Sequence, residues 1–174
     1  MNKSKISLLF AGVLAVSSVQ VFAGDGSVHF TGAVTEDTCT VGTEINSQPV
    51  ELGNIPSALF NAAGDKSSAV DFTIELSNCP ASVLQVLTKF DGVSNPSNTA
   101  LLSLDSGATA TGVGIEIAEE DETPIPLHTA SKPYTVDATT HNASLPYVAR
   151  YVATDAIVGA GTANGTSQFT LNYQ

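Results

Sequence analysis

Nearly every window longer than about ten residues in this chain is interrupted by Gly, Pro, Asn, Ser or a β-branched residue. That punctuation removes the i, i+3, i+4 apolar spacing of a helix and leaves period-two alternation. Val70, Phe72, Ile74 and Leu76 alternate with Asp71, Thr73, Glu75 and Ser77, and Val28, Phe30 and Val34 alternate with His29, Thr31 and Thr35. Further strand candidates are Pro49–Ile55, Val83–Phe90, Ala100–Leu104, Gly112–Ala118, Pro124–His128, Tyr134–Val136, Leu145–Thr154 and Ser167–Tyr173. Turn-rich links such as 91–98 and 105–107 separate them. A helical turn is expected only near Ser57–Ala62. Short strands without intervening helices predict an all-β sandwich or barrel.

The first 23 residues carry a basic start at Lys3 and Lys5, an apolar run from Ile6 to Val16, and Val21 and Ala23 at the −3 and −1 positions before Gly24. Those are the parts of a secretory signal peptide, and the apolar run is shorter than the ~18–20 residues of a membrane span. Its removal leaves 151 residues, the size of one domain. The expected organisation is a signal peptide at 1–23, an N-terminal extension at 24–36 and a β domain at 37–174, soluble and without direct membrane insertion.

Six Lys and Arg, less Lys3 and Lys5, stand against 17 Asp and Glu, a mature charge of −13. Nucleic-acid binding draws on clustered cations. Lys66, Lys89, Lys132 and Arg150 are scattered, so no nucleic-acid partner is expected. With 43% apolar residues the chain has enough apolar surface to fold despite its acidity.

Cys39 and Cys79 are the two cysteines, and an even count in an exported chain reads as a disulfide. His29, His128 and His141 are too remote from one another and from the thiols to suggest a metal site, and no cofactor is expected. Glu119-Glu-Asp-Glu122 lacks an EF-hand spacing and reads as a solvated hairpin tip between Ile117 and Ile125. Gly-x-Ser-x-Gly, His-Glu-x-x-His, Cys-x-x-Cys and glycine-loop motifs are all missing. A Ser–His–Asp triad assembled in space is not excluded by counting, but nothing marks a nucleophile, and no enzyme is expected.

The two ends of the mature chain are the sharpest signal. Gly26, Val28, Phe30, Gly32 and Val34 share one face of an extended segment beginning just after the cleavage position, where chains usually fray unless a partner holds them. Phe169, Leu171 and Tyr173 alternate with Thr170 and Asn172 up to Gln174. Alternation alone fits equally an ordinary first strand and ordinary core.

These segments carry a resemblance. The Gly-Ser-Val-His-Phe-Thr-Gly-Ala-Val start, the spacing of nine positions from Phe30 to Cys39, Leu-Ser-Asn-Cys79-Pro, Gly112-Val-Gly-Ile-Glu-Ile117 and Leu145-Pro-Tyr-Val-Ala-Arg-Tyr-Val-Ala-Thr154 occur in one order. Gly161 stands fourteenth from the end and Tyr173 is penultimate. The mature chain resembles the pilin subunits of chaperone–usher fimbriae, most closely the major subunit of type 1-like fimbriae. It departs in one respect: only Gly24 and Asp25 precede Gly26, fewer residues than many major pilins carry there.

The resemblance implies an incomplete immunoglobulin-like β-sandwich lacking its final strand. It implies that Gly26, Val28, Phe30, Gly32 and Val34 form a donor strand, and that Gly161, Phe169, Leu171, Tyr173 and Gln174 form the acceptor groove and chaperone-binding end. The implied partners are neighbouring pilin subunits, a periplasmic chaperone whose basic cleft holds the Gln174 carboxylate, and an outer-membrane usher. The implied function is a surface fimbria for adhesion, reached through the periplasm. The competing expectation is a secreted, self-complete sandwich acting as a binding module.

Overall fold

The computed structural model describes residues 28–32, 38–42 and 49–174. The chain divides into two units, residues 1–34 and 35–174. Of the first, 28–32 are described; they lie outside any helix or strand, with Val28 77% and Phe30 88% exposed. Gly26 and Val34, like residues 1–23, for which a signal peptide is expected, lie outside the described residues.

The second unit is all-β. Its strands are β1 (Thr40–Val41), β2 (Val70–Ser77), β3 (Gln85–Asp91), β4 (Val113–Glu119), β5 (Tyr134–Thr135), β6 (Ala143–Ala153) and β7 (Gln168–Tyr173), with one 3-10 turn at Ser57–Leu59. They form two antiparallel sheets, β1-β2-β6-β4 and β5-β3-β7. The alternation in β2 works as expected, burying Ile74 and Leu76 and leaving Asp71 and Glu75 exposed. In β3 it buries Val86, Thr88 and Phe90.

The sheets meet through aromatic rings. Tyr147 of β6 stands edge-on to Phe90 of β3 with centroids 5.1 Å apart, and Phe72 of β2 lies 5.6 Å from Tyr147. Each such pair adds about 0.5–1.5 kcal/mol beyond the area it buries. Cys39 and Cys79 are bridged and buried in this core, tying the start of β1 to the end of β2. Their separation of 40 residues corresponds to about 4 kcal/mol in the chain-entropy account.

Three expected strands are absent for identifiable reasons. Residues 49–55 are extended coil, broken at Gly53, whose φ is +76°. Residues 100–104 and 124–128 touch β4 only through single bridges, Leu102 to Ile115 and Pro124 to Ala118. Pro124 and Pro126 lack the N–H a ladder requires. Pro146, inside β6, costs no ladder bond: its carbonyl accepts the Tyr134 hydroxyl at 2.8 Å, so its backbone edge faces away from β2.

Residues 119–125 do form a hairpin, with Ile125 N–H bonded to the Ile117 carbonyl. Glu119 departs from the solvated-tip expectation and is buried, 5% exposed. Its carboxylate accepts the Lys132 N–H at 2.7 Å and the Tyr134 hydroxyl at 2.6 Å, clipping one sheet to the other. Burial, with the Glu119 carboxylate beside it, pushes the Tyr134 hydroxyl pKa upward.

On the outer face of the larger sheet, Glu116 pairs in register with Arg150. Arg150 Nε lies 2.8 Å and Lys66 Nζ 2.9 Å from the Glu116 carboxylate, while Arg150 Nη1 reaches Glu122 at 2.7 Å. Removing Arg150 strands Glu116, whose side chain is 9% exposed, with only the half-exposed Lys66. Arg150→Met is expected to lower stability by about 3 kcal/mol, and the double change with Glu116→Met to recover most of it. Denaturation midpoints of the single and double variants check this.

Candidate functional site

The order of the smaller sheet leaves β7 paired with β3 on one side and, among the described residues, with nothing on the other. Gln85 and Gln174 exchange both backbone hydrogen bonds, at 2.9 Å each way. Backbone direction alternates along a strand, so Gln168, Thr170 and Asn172 also point toward β3. The N–H and C=O groups of Phe169, Leu171 and Tyr173 therefore point to the open edge. These same residues turn their side chains inward, opposite Phe90, Thr88 and Val86.

Beside that edge the core itself is open. A groove of about 1260 Å³ is floored by Phe72, Ile74, Phe90, Ile115, Ile117 and Ala149, residues drawn from both sheets. Its walls are the coil 49–55 on one side and residues 158–169 on the other. An apolar groove running between the sheets beside an unpaired strand edge is the arrangement of a sandwich that lacks a strand.

The structure brings together part of the expected acceptor set. Gly161 and Phe169 line the groove. Leu171 and Tyr173 do not line it but pack half-buried against the core on the same face; burial raises the Tyr173 hydroxyl pKa. Gln174 continues the β7 ladder through Gln85 and Leu84. Gly161 is required by space: a Cβ there would stand 2.5 Å from the Thr109 carbonyl carbon and the Ala110 nitrogen. The coil 49–55 was not expected as a groove wall.

One further group comes together from distant positions. Asp91 Oδ1 lies 2.9 Å from His128 Nδ1, and His128 Nε2 lies 3.3 Å from Ser94 Oγ. The connectivity is that of a hydrolytic triad, but the setting differs. His128 is half-exposed, and the Asp91 carboxylate also meets Lys89 at 3.1 Å instead of being buried against the imidazole alone. Hydrogen bonds from His128, then Lys89, hold the Asp91 carboxyl below its usual pKa. Among the described residues no group of three or more His, Cys, Asp or Glu could hold a metal, and no helix is long and apolar enough to cross a membrane.

Comparison with known proteins agrees with the open-edged sandwich. The family model described as fimbrial protein matches residues 28–174, and the chain belongs to that family. It is 34% identical to the long polar fimbria protein A of Salmonella typhimurium, over 100% of this chain and 98% of that protein. It is 35% identical to a type-1 fimbrial protein subunit of Serratia marcescens, over 95% and 96%. Among solved structures, a type I fimbria protein of Burkholderia pseudomallei superposes with a TM-score of 0.61 at 31% identity, over 80% of this chain and 91% of that one. A chaperone–usher pilus structure, at 23% identity and TM-score 0.62 over 90% and 100%, shares the fold. The protein is a structural subunit of a surface pilus, non-enzymatic, with the incomplete immunoglobulin-like fold of the chaperone–usher pilins.

Proposed function

We propose that this subunit polymerises by donor-strand exchange, with residues 24–36 of one copy completing the sandwich of the next. The observation that carries the reading is the open edge of β7 beside a groove floored by core residues. Backbone groups of Phe169, Leu171 and Tyr173 supply affinity to an added strand, and the apolar floor supplies specificity for alternate side chains. Val28 and Phe30 are the large exposed side chains on such an alternating face. Gly26 and Gly32 suit places where the donor backbone lies close to the floor.

In this reading the leader 1–23 directs export, and a periplasmic chaperone first lends a strand to the groove while its basic cleft holds the Gln174 carboxylate. An outer-membrane usher then exchanges that strand for the extension of the next subunit, and the fibre serves adhesion at the cell surface. Phe30→Asp tests the reading: it is expected to abolish polymer growth, seen as loss of fibres by electron microscopy, while chaperone-bound subunit still accumulates. Loss of folded subunit instead would make residues 24–36 an ordinary strand of their own domain.

A further inference from the structure

An open β7 edge explains where a strand can add, but not why it adds nowhere else. A sandwich has other edges, and each is a template for an extended chain. The outward edge of β4 is occupied at three points: Leu102 and Ile115 exchange both backbone bonds at 2.9 Å, Ile125 donates to Ile117, and Glu119 N–H donates to Thr123.

The second edge of β3 is covered by the segment His128–Val136, which is a regular strand only at β5 and otherwise runs alongside through isolated bonds. Val136 N–H bonds the Leu84 carbonyl, Tyr134 pairs Val86, Ser131 N–H bonds the Thr88 carbonyl, and His128 N–H bonds the Phe90 carbonyl. Thr88 N–H is taken by the Ser131 side chain at 2.9 Å, where a regular ladder would use a carbonyl. The strap itself carries Lys132 and Pro133, residues that make a poor template for a further strand.

The strap begins under tension. His128 has φ +67°, an uncommon conformation for a residue with a side chain, which persists only when its surroundings over-determine it. Three ties hold it: N–H to Phe90 at 2.8 Å, Nδ1 to Asp91 at 2.9 Å and Nε2 to Ser94 at 3.3 Å. We propose that His128–Val136 is an edge guard, pinned through His128 by Asp91 and Ser94, that denies the second edge of β3 to an incoming strand and leaves β7, among the described residues, as the open edge of the smaller sheet. The inference rests on the donor-strand reading for the identity of that strand, a second copy's extension.

The test compares fibres of the parent chain with those of His128→Gly, Asp91→Asn and His128→Asn. Glycine relieves the backbone and removes the pin; asparagine tolerates the same backbone and keeps polar contact. In the parent, the amides of His128 and Ser131 are expected to exchange slowly and fibres to be unbranched. In His128→Gly those two amides should exchange at least tenfold faster, those of Leu87 and Lys89, which face β7, should not change, and fibres should branch or bundle. Asp91→Asn, a milder change that keeps the Ser94 contact, should move in the same direction, and His128→Asn should restore protection.

Unchanged exchange at His128 and Ser131 in His128→Gly and Asp91→Asn, or faster exchange with fibres that stay unbranched, overturns the guard. Absence of fibres from the parent chain refutes donor-strand exchange instead, and the exchange rates then still decide whether His128 pins the strap.

Discussion

A synthetic peptide of residues 24–35 added to the mature subunit is expected to raise its Tm by roughly 10–15 °C when free peptide exceeds its Kd a thousandfold. A ligand that binds only the folded state contributes RT ln(1 + [L]/Kd), about 4 kcal/mol at that excess, and each kcal/mol moves a domain of this size by a few degrees. The gain is large because the incomplete sandwich leaves two deficits together. Phe72, Ile74, Phe90 and Ile117 line its groove, and among the described residues no strand pairs the backbone groups of Phe169, Leu171 and Tyr173. Each buried Val or Phe of the peptide contributes about 1.5–3 kcal/mol before ordering costs. The same peptide with Phe30→Asp should give almost no shift, since an unpaired carboxylate in an apolar groove is disfavoured. A subunit indifferent to both peptides would be self-complete.

Much of this architecture was legible in the residues. The period-two runs at 70–77 and 168–173 made strands where they were read, because each has one face on the core and the alternation is the direct trace of that face. The cysteine pair was legible from count and compartment. The segments along the other edges were legible only in part: Tyr134–Val136 reads as a strand and forms β5, whereas Ala100–Leu104 and Pro124–His128 read as strands but meet β4 only through single bridges.

Glu119 departs from the solvated-tip expectation for a related reason. A run of four acids looks uniform in sequence, whereas the end of β4 turns Glu119 inward toward Tyr134 and leaves Glu120 and Asp121 in solvent. Asp91, Ser94 and His128 were visible only as residue types, since 34 and 37 positions separate His128 from its two partners. The groove was least legible from the pattern of residues, because alternation records the side chains that line a core and is silent about a strand that never joined them. Only the family resemblance pointed to it.

Hydrogen exchange along β7 should separate that missing strand from every other explanation. In the isolated subunit, Thr170 and Asn172 direct their N–H groups to β3 and are expected to be protected to the extent that the smaller sheet is stable. Phe169, Leu171 and Tyr173 direct theirs to the open edge and should exchange at rates near those of an unstructured chain, although their side chains are half-buried. On polymerisation the order changes: the three fast amides should slow by at least a thousandfold, while Thr170 and Asn172 slow only as much as the domain as a whole is stabilised. Side-chain packing alone cannot produce that alternation, because a ligand filling the groove without a backbone would protect all five amides together or none. An added strand must protect every second residue, since consecutive N–H groups in a strand face opposite edges. Uniform slowing across Phe169–Tyr173 would therefore show that the groove is filled by something other than a paired strand.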